Sequence, residues 1–243
     1  MPSLAASLTG RLADTALGIF LTTGRVTAVE RPTANFTRVD LAADGFRSAS
    51  WVPGNKLQLR PQSGTFGLRT YTPTPWDPTV GTTSILAYAH GEGPGAEWFR
   101  TVASGDPCEV FGPRRSLDLG GLAHPTLFVG DETSIGLAVA LAATSPGLGV
   151  THVLEAHDVA ETREVLSWVG LEATVVAKAD GTAALLEAVE GAVAGYGASG
   201  YDVVLSGDAA TVAAVRRRLR DLDRPPTASR VKAYWAEGRT GLD

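Results

Sequence analysis

Short apolar segments separated by turn residues fill the chain from Arg25 to Asp118. Such segments, bounded by Gly, Pro, Asn and Asp, are typical of short strands joined by tight turns. The predicted strands are residues 26–29, 37–41, 56–59, 69–72, 84–89 and 109–111. About six short strands of this kind indicate a small antiparallel β-barrel.

One stretch of this half has helical rather than strand periodicity. Residues 91–104 begin with glycines and a proline and then place Ala96, Phe99 and Val102 at helical spacing. A glycine-rich loop that enters a helix leaves free backbone N–H groups, which suit a phosphate. An ordinary loop and helix is the alternative interpretation.

After Gly120 the pattern changes to apolar strands that alternate with longer helical segments. The predicted strands are residues 126–130, 150–154, 173–177, 202–206 and 230–234. The predicted helices are residues 134–143, 159–168, 182–194 and 209–222. This alternation predicts a parallel α/β sheet of the nucleotide-binding type. The sequence thus predicts two domains, residues 25–120 and 121–243, after an extension of residues 1–24.

Composition and charge narrow the class of protein. With 44% hydrophobic and 19% charged residues, the 243-residue chain can bury a substantial core. Its single cysteine, Cys108, excludes a disulfide framework and a four-cysteine iron–sulfur or zinc site. The net charge of −5 gives no general attraction to nucleic acid or to an anionic membrane. The apolar run of residues 16–21 is shorter than a membrane span of about 20 residues, so we expect a cytoplasmic protein without membrane insertion.

Two common kinds of catalytic site have no support in the sequence. The four histidines do not have the spacing of metal ligands. No Gly-x-Ser-x-Gly turn is present to hold a nucleophilic serine. We therefore expect neither a protein-bound metal nor acyl transfer.

Several short motifs follow one another in a fixed order through both halves. The first half contains Arg69-Thr70-Tyr71-Thr72, His90-Gly91, Gly93-Pro94-Gly95-Ala96-Glu97-Trp98, Gly105-Asp106 and Gly112-Pro113-Arg114. The second half contains Gly130-Asp131-Glu132-Thr133, Ser206-Gly207-Asp208 and Tyr234-Trp235-Ala236-Glu237-Gly238. Together these motifs resemble the siderophore-interacting protein family, whose members are flavin-dependent ferric-siderophore reductases of the ferredoxin-reductase superfamily.

This resemblance implies an FAD-binding barrel and a second domain that binds NADH or NADPH as electron donor. Electrons would pass through the flavin to the Fe(III) of a ferric siderophore, and no side chain would act as a nucleophile. The cofactor-binding residues that the resemblance implies are Arg69, Thr70, Tyr71, Thr72, His90, Gly91, Gly95, Ala96, Trp98, Ser116, Gly130, Asp131, Glu132, Thr133 and Trp235.

The chemistry of these residue types suits that role. A guanidinium supports phosphate oxygens, a phenol packs against a flavin ring, and a threonine hydroxyl can hydrogen-bond the flavin. The basic residues that we expect to attract an anionic siderophore are Lys56, Arg114 and Arg115, together with Arg47. Glu155 follows the second strand of the α/β domain, where an acid can accept ribose hydroxyls, and it favours NADH.

Structural interpretations and other functions stay open at this point. His90 and Trp98 also suit packing in the barrel, and Asp131 and Glu132 also suit a helix cap. Trp235 also suits a cap on the sheet. Two alternative functions are a non-catalytic flavin- or siderophore-binding module and a general NAD(P)H flavin reductase with another acceptor. We expect a monomer or a weak dimer.

Overall fold

The computed structural model describes residues 21–61, 67–144, 147–179 and 181–238. Most of the predicted extension, residues 1–24, lies outside the described residues, as does nearly all of the apolar run 16–21. The chain divides into two compact units, Met1–Arg115 and Ser116–Asp243, here called the barrel domain and the α/β domain. In the described ranges, every helix is too short or too polar to cross a membrane.

The described part of the barrel domain forms a seven-stranded antiparallel sheet. Its strands are β1 (Thr22–Glu30), β2 (Phe36–Ala42), β3 (Lys56–Leu59), β4 (Arg69–Tyr71), β5 (Pro73–Asp77), β6 (Thr82–Tyr88) and β7 (Pro107–Arg114). They are arranged in the order β4-β3-β7-β1-β2-β6-β5. A 3-10 turn (Asp44–Arg47) and helix α1 (Pro94–Thr101) complete the domain. Strand β5 is absent from the strands that the sequence predicts.

The two edge strands of this sheet are consecutive along the chain. Strand β4 ends at Tyr71 and β5 begins at Pro73, so Thr72 alone connects opposite edges of the strand order. Two residues of extended chain span at most about 7 Å. The sheet must therefore curl until its edges meet, and β4 contacts β6. This closure gives the domain its barrel form.

Alternating apolar positions of the strands fill the barrel interior. The fully buried side chains include Val26, Val39, Leu41, Leu57, Leu59, Ile85 and Val110. Helix α1 adds Phe99, which is 1% exposed, so the helix packs on the same core.

The α/β domain is a five-stranded parallel sheet with helices between its strands. The strands are β8 (Thr126–Asp131), β9 (Val150–Ala156), β10 (Thr174–Ala177), β11 (Asp202–Asp208) and β12 (Ala228–Trp235). The helices are α2 (Ile135–Thr144), α3 (Val159–Trp168), α4 (Ala183–Ala194) and α5 (Ala209–Arg220). Every residue of β8 is buried, as expected for a central strand covered on both faces. An antiparallel barrel followed by a parallel α/β sheet confirms the predicted fold class.

The order β10-β9-β8-β11-β12 fixes where a ligand binds in such a sheet. The chain runs outward from β8 to β10, then returns to place β11 on the other side of β8. Open α/β sheets bind their ligands outside the carboxyl ends of the strands at such a reversal. Here the reversal lies between β8 and β11.

Candidate functional site

In the barrel domain, the Arg-Thr-Tyr motif of β4 lies against the start of α1. A Cβ atom on Gly95 would lie 3.0 Å from Cγ of Arg69 and 3.3 Å from Oη of Tyr71, so glycine permits this close approach. The Tyr71 ring meets Phe99 of α1 edge-on, with 4.9 Å between the ring centroids. Burial raises the pKa of the Tyr71 hydroxyl well above its usual value, and the charge of Arg69 partly opposes that shift. The phenol is therefore a neutral hydrogen-bonding group.

The loop before α1 leaves open space around two of its glycines. Gly91 has φ of +70°, and a Cβ atom on Gly91 or Gly93 would meet no atom within 4 Å. Pro94 has no N–H, and the Glu97 N–H donates to the Gly93 carbonyl at 2.9 Å. The amides of Gly95 and Ala96 thus precede the first intrahelical bond. With Arg69 beside them, these amides can hold a phosphate.

Two arginines brace this loop and helix. Nη2 of Arg100 donates to the carbonyls of Ala89 at 3.1 Å and Gly91 at 2.7 Å. Nη2 of Arg31 reaches three carbonyls at the end of α1, those of Phe99, Arg100 and Val102, at 3.2, 3.2 and 2.8 Å. The sequence interpretation assigned no role to either arginine. The available signal was the basic residue in the last turn of the helix, which often binds nearby carbonyls.

A chain of polar side chains crosses three strands of the barrel. Nε2 of Gln58 on β3 donates to Oγ1 of Thr70 on β4 at 3.3 Å. Nη1 of Arg114 on β7 donates to Oε1 of Gln58 at 3.0 Å, and its guanidinium lies 4.7 Å from the Phe111 ring centroid. Thr70 and Arg114, which the sequence assigned to the cofactor and to the siderophore, are therefore joined through Gln58.

The basic residues expected to meet a siderophore differ in exposure. Arg114 and Arg115 are exposed, whereas Lys56 is only 7% exposed. Arg47 is held near the surface by the carbonyl of Thr79, which accepts from its Nη1. Of the basic residues that the sequence assigns to the siderophore, Arg114 and Arg115 are therefore open to an anionic ligand, and Lys56 is not.

The other residues of the first half that the sequence assigns to the cofactor differ in burial: some are exposed and others pack in the core. His90 is exposed, and its ring stacks on Tyr88 with 5.0 Å between centroids. Trp98 packs perpendicular to Phe99 at 4.8 Å, which agrees with its alternative role in packing. The list is completed by Thr72, which is buried, Ala96, which packs against the barrel core, and Ser116, which begins the α/β domain.

These groups fit a flavin dinucleotide. Tyr71 offers an apolar ring with a polar tip, as a flavin ring system requires. Arg69 and the open start of α1 offer positive charge and free amides, as a diphosphate requires. The fit rests on the contact of Gly95 with Arg69 and Tyr71.

In the α/β domain, Asp131 lies at the carboxyl end of β8 and accepts five hydrogen bonds. Its Oδ1 accepts from the backbone N–H of Thr133 at 3.0 Å, from the Thr133 hydroxyl at 2.5 Å and from the Ser134 hydroxyl at 3.3 Å. Its Oδ2 accepts from the backbone N–H of Asp208 at 2.9 Å and from Nε1 of Trp235 at 2.8 Å. The carboxylate thus ties together the ends of β8, β11 and β12.

The surroundings of Asp131 are tightly packed. The residue is 3% exposed, and burial raises the pKa of its carboxyl group while the bonds from Thr133, Trp235 and Asp208 oppose that shift. Gly207 has φ of +108°, and a Cβ atom there would lie 2.4 Å from Oδ2 of Asp131. At Gly130 a Cβ atom would lie 2.8 Å from Cβ of Ser134. Gly130 and Gly207 therefore make room for this carboxylate turn.

Trp235, at the end of β12, also contacts a charged pair that comes from the opposite end of the strand order, from β9 and from the residue after β10. Nζ of Lys178 lies 4.6 Å from the Trp235 ring centroid and 3.8 Å from Oε2 of Glu155. The Thr211 hydroxyl donates to the same oxygen at 3.4 Å. Glu155 is 3% exposed, and burial raises the pKa of its carboxyl group. Glu155, for which the sequence predicts a contact with ribose hydroxyls, is therefore enclosed by Lys178 and Thr211.

Glu132, the next residue of the turn, is hydrogen-bonded to His157. Oε1 of Glu132 accepts from the backbone N–H of His157 at 2.5 Å and lies 3.1 Å from its Nδ1. The Glu132 side chain is 2% exposed, whereas the His157 side chain is 54% exposed. The sequence interpretation gave His157 no role. Among the described residues, no three His, Cys, Asp or Glu side chains come together as metal ligands.

Two family models match the chain. The model of the siderophore-interacting FAD-binding domain matches residues 53–117, and the model of the siderophore-interacting protein matches residues 123–238. The first contains β4 and α1, and the second contains the carboxyl edge around Asp131. Among curated protein sequences, none matches the chain significantly.

Solved structures with the same two-domain fold cover most of the chain. A siderophore utilization protein from T. fusca has a TM-score of 0.72 and 25% identity, and the match covers 92% of this chain and 95% of that one. The siderophore-interacting protein SipS from Aeromonas hydrophila has a TM-score of 0.72 and 20% identity, with 90% and 92% covered. The ferredoxin reductase in carbazole 1,9a-dioxygenase has a TM-score of 0.71 and 18% identity, with 88% and 69% covered.

Proposed function

Because the chain belongs to the siderophore-interacting protein family, we propose that it is an FAD-dependent NAD(P)H:ferric-siderophore oxidoreductase. It would release iron from the siderophore by reducing Fe(III) to Fe(II). The observation that carries the proposal is the contact of Arg69 and Tyr71 with the start of α1 at Gly95. That contact places an aromatic ring, a cation and free amides together in one domain.

The barrel residues have distinct tasks in this proposal. Arg69 and the amides of Gly95 and Ala96 bind the diphosphate, and Tyr71 packs against the flavin ring. Arg100 keeps the Gly91 loop in place through its two carbonyl contacts. When bound, FAD supplies the conversion of a two-electron donor into the one-electron steps that iron requires.

The substrates meet different surfaces. Arg114 and Arg115 are exposed cations, which supports attraction of an anionic ferric siderophore. The nicotinamide donor binds at the carboxyl edge of the α/β sheet, beside the turn of Asp131 and Glu132. The proposed donor is NADH or NADPH.

One observation favours a second candidate function. The backbone N–H groups of Thr133 and Asp208, which face the reversal point of the sheet, are already bound by Asp131. A diphosphate at that point would lack these two donors and would face a carboxylate. The second candidate is therefore a flavin- and siderophore-binding module that nicotinamides do not reduce.

An anaerobic absorbance titration tests the proposal. The protein is loaded with FAD, titrated with NADH and separately with NADPH, and then mixed with a ferric siderophore and an Fe(II) chelator. Loss of flavin absorbance with either donor, followed by its return and by Fe(II) capture, is the expected result. Bound flavin that neither donor reduces would support the second candidate. Flavin that is reduced but not reoxidised by the ferric complex would indicate a reductase with another acceptor.

The flavin site itself is tested by Arg69→Ala. We expect at least a tenfold rise in the dissociation constant for FAD, since a charge-assisted phosphate contact is lost. Arg217→Ala, on the exposed face of α5, is the matched control and should leave FAD binding unchanged. Equal FAD affinity in both variants would remove Arg69 from the site.

A further inference from the structure

The side chain of Gln58 lies between the strand of the flavin motif and an exposed arginine. Gln58 is 2% exposed, and its Nε2 donates to Oγ1 of Thr70 on β4 at 3.3 Å. Its Oε1 accepts from Nη1 of Arg114, the last residue of β7, at 3.0 Å. A buried amide that is bonded at both ends has one orientation, since its oxygen can only accept and its NH₂ group can only donate. Gln58 therefore fixes the point at which it binds Arg114.

A second contact limits the position of the Arg114 guanidinium. It lies 4.7 Å from the centroid of the Phe111 ring, within the range of a cation–π interaction. An unrestrained arginine has many rotamers, and ordering such a side chain on binding costs free energy. Because Gln58 and Phe111 already order Arg114, a ligand that binds the guanidinium avoids part of that cost. Arg114 is also exposed, so that a ligand can reach it.

The charge of Arg114 is not cancelled by its partner. The amide of Gln58 is neutral, and no carboxylate of the described residues pairs with Arg114. Arg38 on β2 is the opposite case: its Nε lies 3.0 Å from Oδ1 of Asp40, and its Nη1 lies 3.5 Å from Oε1 of Glu30. Two carboxylates compensate the charge of Arg38, whereas Arg114 keeps its positive charge for an anionic ligand.

We propose that Gln58 is a positioning residue for the siderophore, which holds the Arg114 guanidinium ready for an anionic ferric chelate of the catecholate class. This inference rests on the proposed function for the identity of the ligand. Catecholate oxygens keep negative charge at the surface of the chelate, so a fixed guanidinium can bind two of them at once. A neutral hydroxamate chelate gains much less from the same cation. Gln58 thus makes this surface selective for the charge of the chelate.

Gallium(III) chelates separate binding from reduction. The two probes are the gallium(III) forms of a tris-catecholate siderophore, which is a trianion, and of a tris-hydroxamate siderophore, which is neutral. Gallium(III) does not accept an electron from a flavin, so calorimetry on the protein with FAD added measures binding alone. We expect Arg114→Gln to raise the dissociation constant for the catecholate probe about tenfold and Gln58→Met to raise it about fivefold, with no change for the hydroxamate probe. The double variant should lose no more than Arg114→Gln, since both act through one contact.

Two further variants serve as controls. Arg38→Gln changes the net charge by the same amount as Arg114→Gln, but it removes an arginine that carboxylates already compensate. It should leave both dissociation constants unchanged. Gln58→Glu keeps an acceptor for Arg114 and pairs its charge, so catecholate binding should again weaken several-fold while hydroxamate binding stays the same. If Gln58→Met does not fold, Gln58→Glu decides.

Three results would overturn the inference. They are catecholate binding like the wild type in the Gln58 variants, an equal loss of affinity for both probes, and no binding of either probe to the wild type. An equal loss would mean that Gln58 only supports the fold of the barrel. Catecholate binding that depends on Gln58, without release of Fe(II) from the ferric chelate when FAD and NADH or NADPH are supplied, would support Gln58 as the positioning residue and refute the proposed reductase.

Discussion

Replacing Asp131 with Asn tests whether the side chain of this one residue holds the ends of β8, β11 and β12 together. The two side chains have nearly the same shape, so Asp131→Asn creates no cavity. It changes one acceptor oxygen into an NH₂ group that can only donate. Five donors converge on the two oxygens of Asp131. Whichever oxygen is replaced, the new NH₂ group therefore points at groups that are themselves hydrogen-bond donors.

The cost depends on which oxygen is replaced. With NH₂ in the Oδ2 position, the backbone N–H of Asp208 and Nε1 of Trp235 both lose their acceptor. With NH₂ in the Oδ1 position, the backbone N–H of Thr133 loses its acceptor, while the Thr133 and Ser134 hydroxyls can rotate to accept. An orphaned buried donor costs about 1–3 kcal/mol. The cheaper orientation therefore predicts a loss of about 1–3 kcal/mol in the free energy of unfolding of the α/β domain.

The measurement is urea unfolding at pH 7 followed by far-ultraviolet circular dichroism and tryptophan fluorescence. The matched control is Asp158→Asn at the start of α3, where the side chain accepts the Glu161 N–H at 2.9 Å on the surface. Asn and Asp cap helices about equally well, so this variant should unfold like the wild type. Asp131→Asn with wild-type stability would refute the view that all five donors depend on a carboxylate.

Two further predictions concern the barrel domain. Arg100→Ala removes two contacts to the carbonyls of Ala89 and Gly91, and we expect a several-fold weaker affinity for FAD in a fluorescence titration, with unfolding changed by less than about 1 kcal/mol. An unchanged FAD affinity would show that the loop keeps its position without Arg100. Burial raises the pKa of the Cys108 thiol to about 11, and the residue is 5% exposed, so its reaction with a disulfide reagent at pH 8 should be slow in the native protein and fast in denaturant. Rapid labelling of the folded protein would contradict the buried position of Cys108.

Most elements of the fold could be predicted from hydrophobic periodicity or, as for the fully buried β8, from an uninterrupted apolar run between turn residues. Strand β8 and helix α3 follow their predicted ranges closely. Strand β5 was missed since it contains Pro73 and Pro75, and proline removes a ladder donor. The structure places β5 at the end of the strand order, where proline is tolerated. An edge position depends on pairing across the whole sheet, which local sequence does not encode.

In the candidate sites, too, some contacts could be predicted from the sequence and others could not. Motifs indicated that Arg69, Tyr71 and Gly95 belong to one site, and these residues are in contact. The bond from Trp235 to Asp131 joins positions 104 residues apart, so only the shared edge of the parallel strands could be foreseen. The direction of the Glu155 side chain could not be foreseen either, because it follows from packing beneath Thr211 on α5.

The single residue between β4 and β5 also limits how this chain can change in length. A loop between paired neighbours, such as the turn between β5 and β6, can accept an insertion at the modest cost of closing a longer loop. An insertion beside Thr72 would instead widen the seam at which the barrel closes, next to the strand that carries Arg69 and Tyr71. Length variation in barrels of this type should therefore collect in the hairpins and spare the seam.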